Sequence, residues 1–180
     1  KMLVTASQEA GVLEEYEEQM LHRVFGFGDL TAGQVMLPRT EMSALPARAT
    51  LEEAVAEVAR APHPWLPVYR EGLDDIAGIL DVKDLFAALA RPAADFRVLD
   101  YVKEVLTIPE TMKADDLLIE MRRRATHRAI VIDEYGGTAG LVTFDGLMER
   151  IIGGIGDGVG DTGSRMAVLA DGSAIIDGLA

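Results

Sequence analysis

The chain has 180 residues, 49% of them apolar and 26% charged, with a formal net charge of −13. That balance describes a globular protein with room for one large or two small domains, and its sign argues against general binding to nucleic acid or to an anionic membrane surface. The absence of cysteine excludes disulfides, thiolate catalysis and zinc–thiolate sites, and no apolar run approaches the ~18 residues that a membrane helix needs.

In chain order, the start (KMLVTASQEAG) lacks the apolar core of a signal peptide. Residues 8–25 place Val12, Tyr16, Met20 and Val24 at helical spacing, with Leu13, Leu21 and Phe25 beside them. This predicts an acidic amphipathic helix, which Gly26 and Gly28 should end. Next come a strand at Ser43–Leu45, a helix over 51–60, a strand at Leu66–Tyr69, a turn, a strand at Ile76–Leu80 and a helix over 82–90. The series then repeats: Val105–Ile108, helix 114–124, Ala129–Ile132, a turn, Ala139–Thr143 and helix 145–152.

Placing Gly78 over Gly140 lays LPVYREGLDDIAGILDVKDL (66–85) on RAIVIDEYGGTAGLVTFDGL (128–147) without a gap. Val68 then meets Ile130, Tyr69 meets Val131, Ile79 meets Leu141 and Leu85 meets Leu147. The apolar pattern agrees at nearly every step, which reads as two copies of one β-α-β-β-α unit. DEYGG is the hairpin turn, where glycine adopts positive φ cheaply. Gly140 in the return strand should let another group approach the backbone. Residues 153–164 read as a flexible linker; GVGDTG (158–163) matches G-x-G-x-x-G literally, but no helix pattern follows it. The chain stops at DGLA inside an apparent strand and reads as part of something longer.

The strings GDLTAGQVMLPRTEM (28–42), LPVYREGLDDIAGILDVKDL (66–85), IPETMKADDLLIEM (108–121) and THRAIVIDEYGGTAGLVTFDGLMERIIGGIGD (126–157) resemble a tandem CBS-domain pair, or Bateman module, of the CorC/HlyC group related to the CNNM and CorB magnesium transporters. The resemblance implies an α/β (α+β) fold of two β-α-β-β-α units with pseudo-twofold symmetry, plus the N-terminal amphipathic helix. The implied organisation is a linker helix over 1–27, CBS units over 28–90 and 91–157, and over 158–180 a flexible linker and the start of a C-terminal transporter-associated domain, whose first hairpin RMAVLADGSAIIDGLA resembles. It also implies a non-catalytic regulatory module that binds an adenine nucleotide, ATP (or AMP/ADP) accompanied by Mg²⁺, between the units. Such a module forms a homodimer and controls an attached membrane transport domain from the cytoplasmic side of a bacterial inner membrane.

Adenine needs apolar surface on its faces, the ribose diol a carboxylate, and phosphates need Arg, Lys or backbone N–H groups. By the resemblance, the first cleft draws on Thr143, with Asp145 one residue ahead of the family's carboxylate position, which here is Gly146. Trp65 is its candidate adenine platform and Arg39 its phosphate ligand, while Leu37 stands where the family usually has Thr. The second cleft draws on Asp84 and Lys83, with Asp81 in the Ser/Thr place, and on Arg124 and Thr126 from RRRATHR (122–128). The resemblance favours the first cleft, and both stay open.

Each residue also has an ordinary reading. Thr143 and Asp145 suit a helix N-cap and first turn, Trp65 a core or dimer anchor, and Arg122 to Arg124 a helix C-terminus. His22, His63 and His127 have no metal-ligand spacing. No base–nucleophile set or phosphate-cradling loop supports an enzyme. The alternative to a sensor is a dimerisation domain whose nucleotide sites have partly decayed.

Overall fold

The computed structural model describes residues 15–89, 95–153, 166–168 and 174–176. These fall into two compact units, one of residues 27–147 and one of the residues before and after it. In the larger unit α2 (Ala32–Val35) leads to β1 (Leu37–Pro38), a 3-10 turn (Arg39–Glu41), β2 (Leu45–Pro46), α3 (Leu51–Arg60), β3 (Trp65–Tyr69), β4 (Ile76–Asp81) and α4 (Val82–Leu89). Then follow β5 (Val102–Lys103), β6 (Leu106–Pro109), α5 (Ala114–Arg123), β7 (Arg128–Ile132) and β8 (Thr138–Thr143), with α6 (Phe144–Ile152) after them. The two β-α-β-β-α repeats are present, with element ends shifted by a residue or two from the predicted ones.

Local chemistry explains the helices. Thr50 and Glu53 form a capping box at the start of α3: the Glu53 amide donates to Thr50 Oγ1 at 3.2 Å and the Thr50 amide to Glu53 Oε2 at 2.8 Å. Leu51 and Ala54 then bury one face. Helix α5 buries Ala114, Leu117 and Met121 and carries Asp115 and Asp116 in its first turn and Arg122 and Arg123 in its last, which suits the helix dipole at both ends.

The strands form two four-stranded sheets, ordered β2-β3-β4-β5 and β1-β8-β7-β6. In each, a parallel pair (β2 with β3, β6 with β7) is followed by two antiparallel pairs. The fourth strand of each sheet comes from the other repeat. Strand β5, which opens the second repeat, closes the first sheet on β4; β1, which precedes the first repeat, closes the second sheet on β8. Backbone bonds around α2 strengthen the exchange, with the Ala32 amide donating to the Met112 carbonyl and the Ala114 amide to that of Leu30.

The exchanged strands run over the two matched glycines. Gly140 lies opposite Pro38, and a Cβ on it would collide with the Leu37 carbonyl oxygen and crowd the Met36 thioether. Gly78 plays the same part beneath β5: a Cβ there would run into the Lys103 carbonyl oxygen and the Val102 side chain, and its φ of 150° is one that side-chain-bearing residues rarely adopt.

The gapless alignment needs one correction. Val68 pairs with Gly78, whereas Val131, not Ile130, pairs with Gly140. The repeats are therefore 62 residues apart from β4 onward but 63 apart from β2 through β3, the first hairpin loop being one residue longer. Leu45 with Val68 thus matches Ile108 with Val131, and both sheets break register at the same place, between Val68 and Tyr69 and between Val131 and Ile132. The shift matters because one residue of slip exchanges the two faces of a strand. Val68 and Val131 are both fully buried, as are Leu66 and Ala129.

On its helix side the first sheet buries Leu66, Val68 and Leu80 against Leu51, Ala54, Leu85 and Ala88. On the other face Trp65 and Ile79 of the first sheet meet Ile130 and Leu141 of the second.

In the smaller unit α1 spans Glu15–Phe27; the predicted residues 8–14 of that helix lie outside the described residues. The predicted stop at Gly26 is a further correction. The helix continues through Gly26, around which the space for a Cβ is open, and turns at Gly28. One helical glycine costs only about 1 kcal/mol and does not by itself end a helix. Arg23 Nη1 donates to the Ile152 carbonyl at 2.8 Å, satisfying an end group of α6. Strands β9 (Met166–Val168) and β10 (Ala174–Ile176) pair antiparallel, as the tail's resemblance to a hairpin implied; the predicted linker lies, beyond Gly153, outside the described residues.

Candidate functional site

The corrected register assigns every seam residue of one repeat a counterpart in the other. Trp65, which pairs with Asp81, corresponds to Arg128, which pairs with Thr143. Leu37, opposite Leu141, corresponds to Lys103, opposite Ile79. Gly146 corresponds to Asp84 by the 62-residue step. These positions border two clefts that share a backbone plan and differ in side chains.

The first cleft is apolar. A small recess of about 20 Å³, open to solvent, is lined by Leu37, Met42, Trp65 and Leu141, with His63 and Ser43 beside them. That is far below the range for ligand pockets, so a bound nucleotide would have to widen it. Trp65 is 9% exposed; its ring stacks on His63 at 5.0 Å between centroids, and the Arg128 guanidinium lies 4.8 Å from its centroid. Thr143 lies two residues beyond Leu141 on the same face of β8. It is the N-cap of α6, its Oγ1 accepting the Gly146 amide at 3.0 Å, and Asp145 is exposed in the first turn. Arg39 is not directed at this pocket: its guanidinium pairs with Asp74 through both terminal nitrogens.

The second cleft is ionic. Arg128 Nη1 donates to Asp81 Oδ1 at 2.7 Å, and Lys103 Nζ reaches Asp81 Oδ2 at 3.2 Å and Asp84 Oδ2 at 2.6 Å. Burial pushes the Asp81 carboxyl up, but the hydrogen bonds from Arg128 and Lys103 outweigh it and hold the group below the usual carboxylate range. The bonds to Asp84 and Asp81 in turn hold the Lys103 ammonium above its ordinary value. Lys83, the neighbour of Asp84, is exposed. Arg124 Nε is bonded to Glu120 Oε1 at 2.5 Å, and Arg123 forks onto the same carboxylate, lowering the Glu120 pKa to about 2. Thr126 donates to the Arg128 carbonyl at 3.2 Å and lines a separate hollow with Arg122, His127 and Phe144.

The structure therefore brings Trp65 to the first pocket and Thr143 close to it. It holds Arg39 on a hairpin, ties Asp84 into an ion chain, and leaves Asp145 and Lys83 facing solvent. Sequence reasoning missed Lys103 as the partner of Asp81 and Asp84. Its signal would have been the exchanged strand, which at two residues carries no periodicity. Among the described residues no group of three or more His, Asp or Glu is placed to hold a metal ion, and no helix is long and apolar enough to cross a membrane.

The CBS-domain family model matches residues 32–91 and 98–153. The chain belongs to the CBS-domain family. Its two repeats are tandem CBS domains of the CNNM/CorC type: a solved CBS domain of a bacterial CNNM/CorC family Mg²⁺ transporter gives a TM-score of 0.79 at 37% identity, over 87% of this chain and 95% of that one. The structure of such a CBS domain in complex with ATP gives 0.70 at 39% identity, over 76% and 97%. The magnesium and cobalt efflux protein CorC of Escherichia coli (strain K12) is 34% identical over 155 residues, 86% of this chain and 53% of that protein. The tandem CBS pair spans about half or less of the curated relatives it matches. The family it belongs to is described by a CBS domain and not by a catalytic one.

Proposed function

We propose that this CBS pair is the regulatory, non-catalytic, nucleotide-binding module of a CorC-type magnesium or divalent-cation transporter, working from the cytoplasmic side of a bacterial inner membrane. Residues 1–27 serve as the linker helix from the membrane transport domain, 28–90 and 91–157 as the two CBS units, and 158–180 as the linker and start of a C-terminal transporter-associated domain. The module works as a homodimer. The observation that carries this reading is the apolar pocket of Leu37, Trp65 and Leu141, present in a fold whose relative has been solved with ATP.

In this reading adenine enters the apolar pocket beside Trp65. Thr143 and Asp145 serve the ribose, with Asp145 standing in for the carboxylate that Gly146 lacks. Arg39 serves the phosphates. Mg²⁺ accompanies ATP by offsetting phosphate charge beside a protein of net charge −13. Asp84 and Lys83 serve the second cleft, with Arg124 and Thr126 beside it as further candidates; it has the weaker claim because its carboxylates already have cationic partners.

Calorimetry and thermal melting with ATP, with and without Mg²⁺, test the reading. Binding should be saturable and should stabilise the fold by about 2.7 kcal/mol at a hundredfold excess over Kd. Thr143→Ile should weaken ATP binding about tenfold or more while the chain stays folded, since a lost cap costs only about 1 kcal/mol; unchanged affinity would move the site elsewhere. A second reading, a dimerisation module with decayed sites, draws on Gly146 and on the capture of Asp84 by Lys103. A dimer that gives no nucleotide heat would decide for it.

A further inference from the structure

Arg39 sits on the segment that forms one rim of the apolar pocket, between Leu37 and the pocket-lining residues Glu41 to Ser43. Its side chain is turned to the first hairpin. There Nη2 donates to Asp74 Oδ2 at 3.0 Å and Nη1 donates to Oδ1. Asp74 Oδ1 also accepts the Thr138 amide at 2.9 Å, at the start of β8. The Arg39 bond, followed by that of Thr138, holds the Asp74 carboxyl below its ordinary value. The clasp is compact: a Cβ on Gly137 would lie 3.0 Å from carboxylate oxygens of both Asp133 and Asp74.

A planar guanidinium that spends both prongs on one carboxylate has little left for a phosphate. The pair is also reachable by solvent, with side-chain exposures of 39% for Arg39 and 56% for Asp74, so it is weak enough to be exchanged. We propose that Asp74 is an internal competitor for Arg39, so that a nucleotide in the apolar pocket must draw the guanidinium from Asp74 before its phosphates are held. Asp74 thereby sets the affinity for phosphate-bearing ligands and not that for the adenosine part. This inference rests on the nucleotide-binding reading above. After the exchange Asp74 still accepts the Thr138 amide, so the two hairpins stay joined while Arg39 changes partner.

The test is calorimetry with ATP and with adenosine as the phosphate-free probe. Asp74→Asn removes the charge and keeps an oxygen for the Thr138 amide. It should tighten ATP binding by about 2- to 5-fold, the range an exposed ion pair represents, and leave adenosine binding unchanged. Asp75→Asn makes the same change in net charge, but Asp75 pairs with Arg70 at 2.7 Å; it should leave ATP affinity as it was. Arg39→Gln should weaken ATP binding by about tenfold and cancel the gain when combined with Asp74→Asn.

An Asp74→Asn protein with no gain, a gain shared by adenosine, or an equal gain from Asp75→Asn would each overturn the competition. A measurement on the unaltered chain gives an independent check. The Arg39 side-chain N–H signals should shift on adding ATP and stay in place on adding adenosine; signals indifferent to ATP would overturn it. If the unaltered chain binds neither compound, the nucleotide reading itself falls. If it binds ATP and Asp74→Asn changes nothing, only the competition falls.

Discussion

Leu37 and Lys103 occupy the same place in the two halves of this CBS pair, as do Trp65 and Arg128, Thr143 and Asp81, and Gly146 and Asp84. On one side these positions make an apolar recess with a helix cap at its margin. On the other they make a chain of charge running from Arg128 through Asp81 to Lys103 and Asp84. The strands beneath are paired alike, so the difference lies in a handful of side chains and not in the fold. The ionic side satisfies its own polar groups; the apolar side presents a small recess lined by Leu37, Trp65 and Leu141. The two are joined at one point, where Arg128 reaches from Asp81 to the face of Trp65.

The largest effect that would test this equivalence comes from the two glycines under the exchanged strands. Gly140→Ala should cost about 2–4 kcal/mol by forcing β1 off β8, and Gly78→Ala more, because its backbone φ adds strain to the same collision. Denaturant titration of both variants measures this. A small loss at either position would mean that the lead strand there is not tightly paired.

A smaller effect separates the clefts. Asp81→Ala leaves the half-buried Arg128 without its carboxylate and should cost about 1–3 kcal/mol, towards the lower end because solvent reaches the site. Thr143→Ala removes only a cap bond, about 1 kcal/mol. The pH dependence follows the same division. Asp81 is held below its unfolded value near 3.9, so its contribution is complete above that value and is lost as pH falls through the depressed folded one. Lys103 is held above its ordinary value, so its contribution is present below about 10.4 and is lost as pH rises through the raised one. Asp81→Asn should therefore flatten the acid limb of the stability curve, read by urea titration between pH 5 and 2, both roughly chosen to bracket those values. An unchanged limb would show the network to be electrostatically idle.

The smallest effect is spectroscopic. Trp65 is the chain's one tryptophan. Its emission should change when ATP enters the apolar recess, and should also change on Arg128→Gln without ligand, because the cation then leaves the ring. Emission that follows Arg128 but ignores ATP would confine the tryptophan to a packing role.

Much of the fold was legible because the repeat repeats chemistry as well as spacing. Gly78 and Gly140 announced a close approach, and DEYGG a turn; Gly136 in that turn has a φ of 83°. The one-residue offset was hidden because β7 is apolar at each of residues 129–132, so two registers look equally good. The exchanged strands were hidden because two residues carry no alternation. The clefts were legible in part. Trp65, Thr143 and Asp84 stand out in the sequence, and the structure places them in the apolar recess, at a helix cap and in the ion chain; that chain joins residues 81, 84, 103 and 128, which nothing short of the tertiary pairing brings together. The pairing of Arg39 with Asp74 was hidden because the two lie 35 positions apart.

The crossing of β1 and β5 means that neither repeat is a finished object. Expressed alone, one repeat would have a leading segment with nothing to lie against and a sheet with a bare edge. Two copies of that fragment would supply each other's missing part, so a severed half should be found as a dimer, and the full chain is the covalently tethered form of such an exchange.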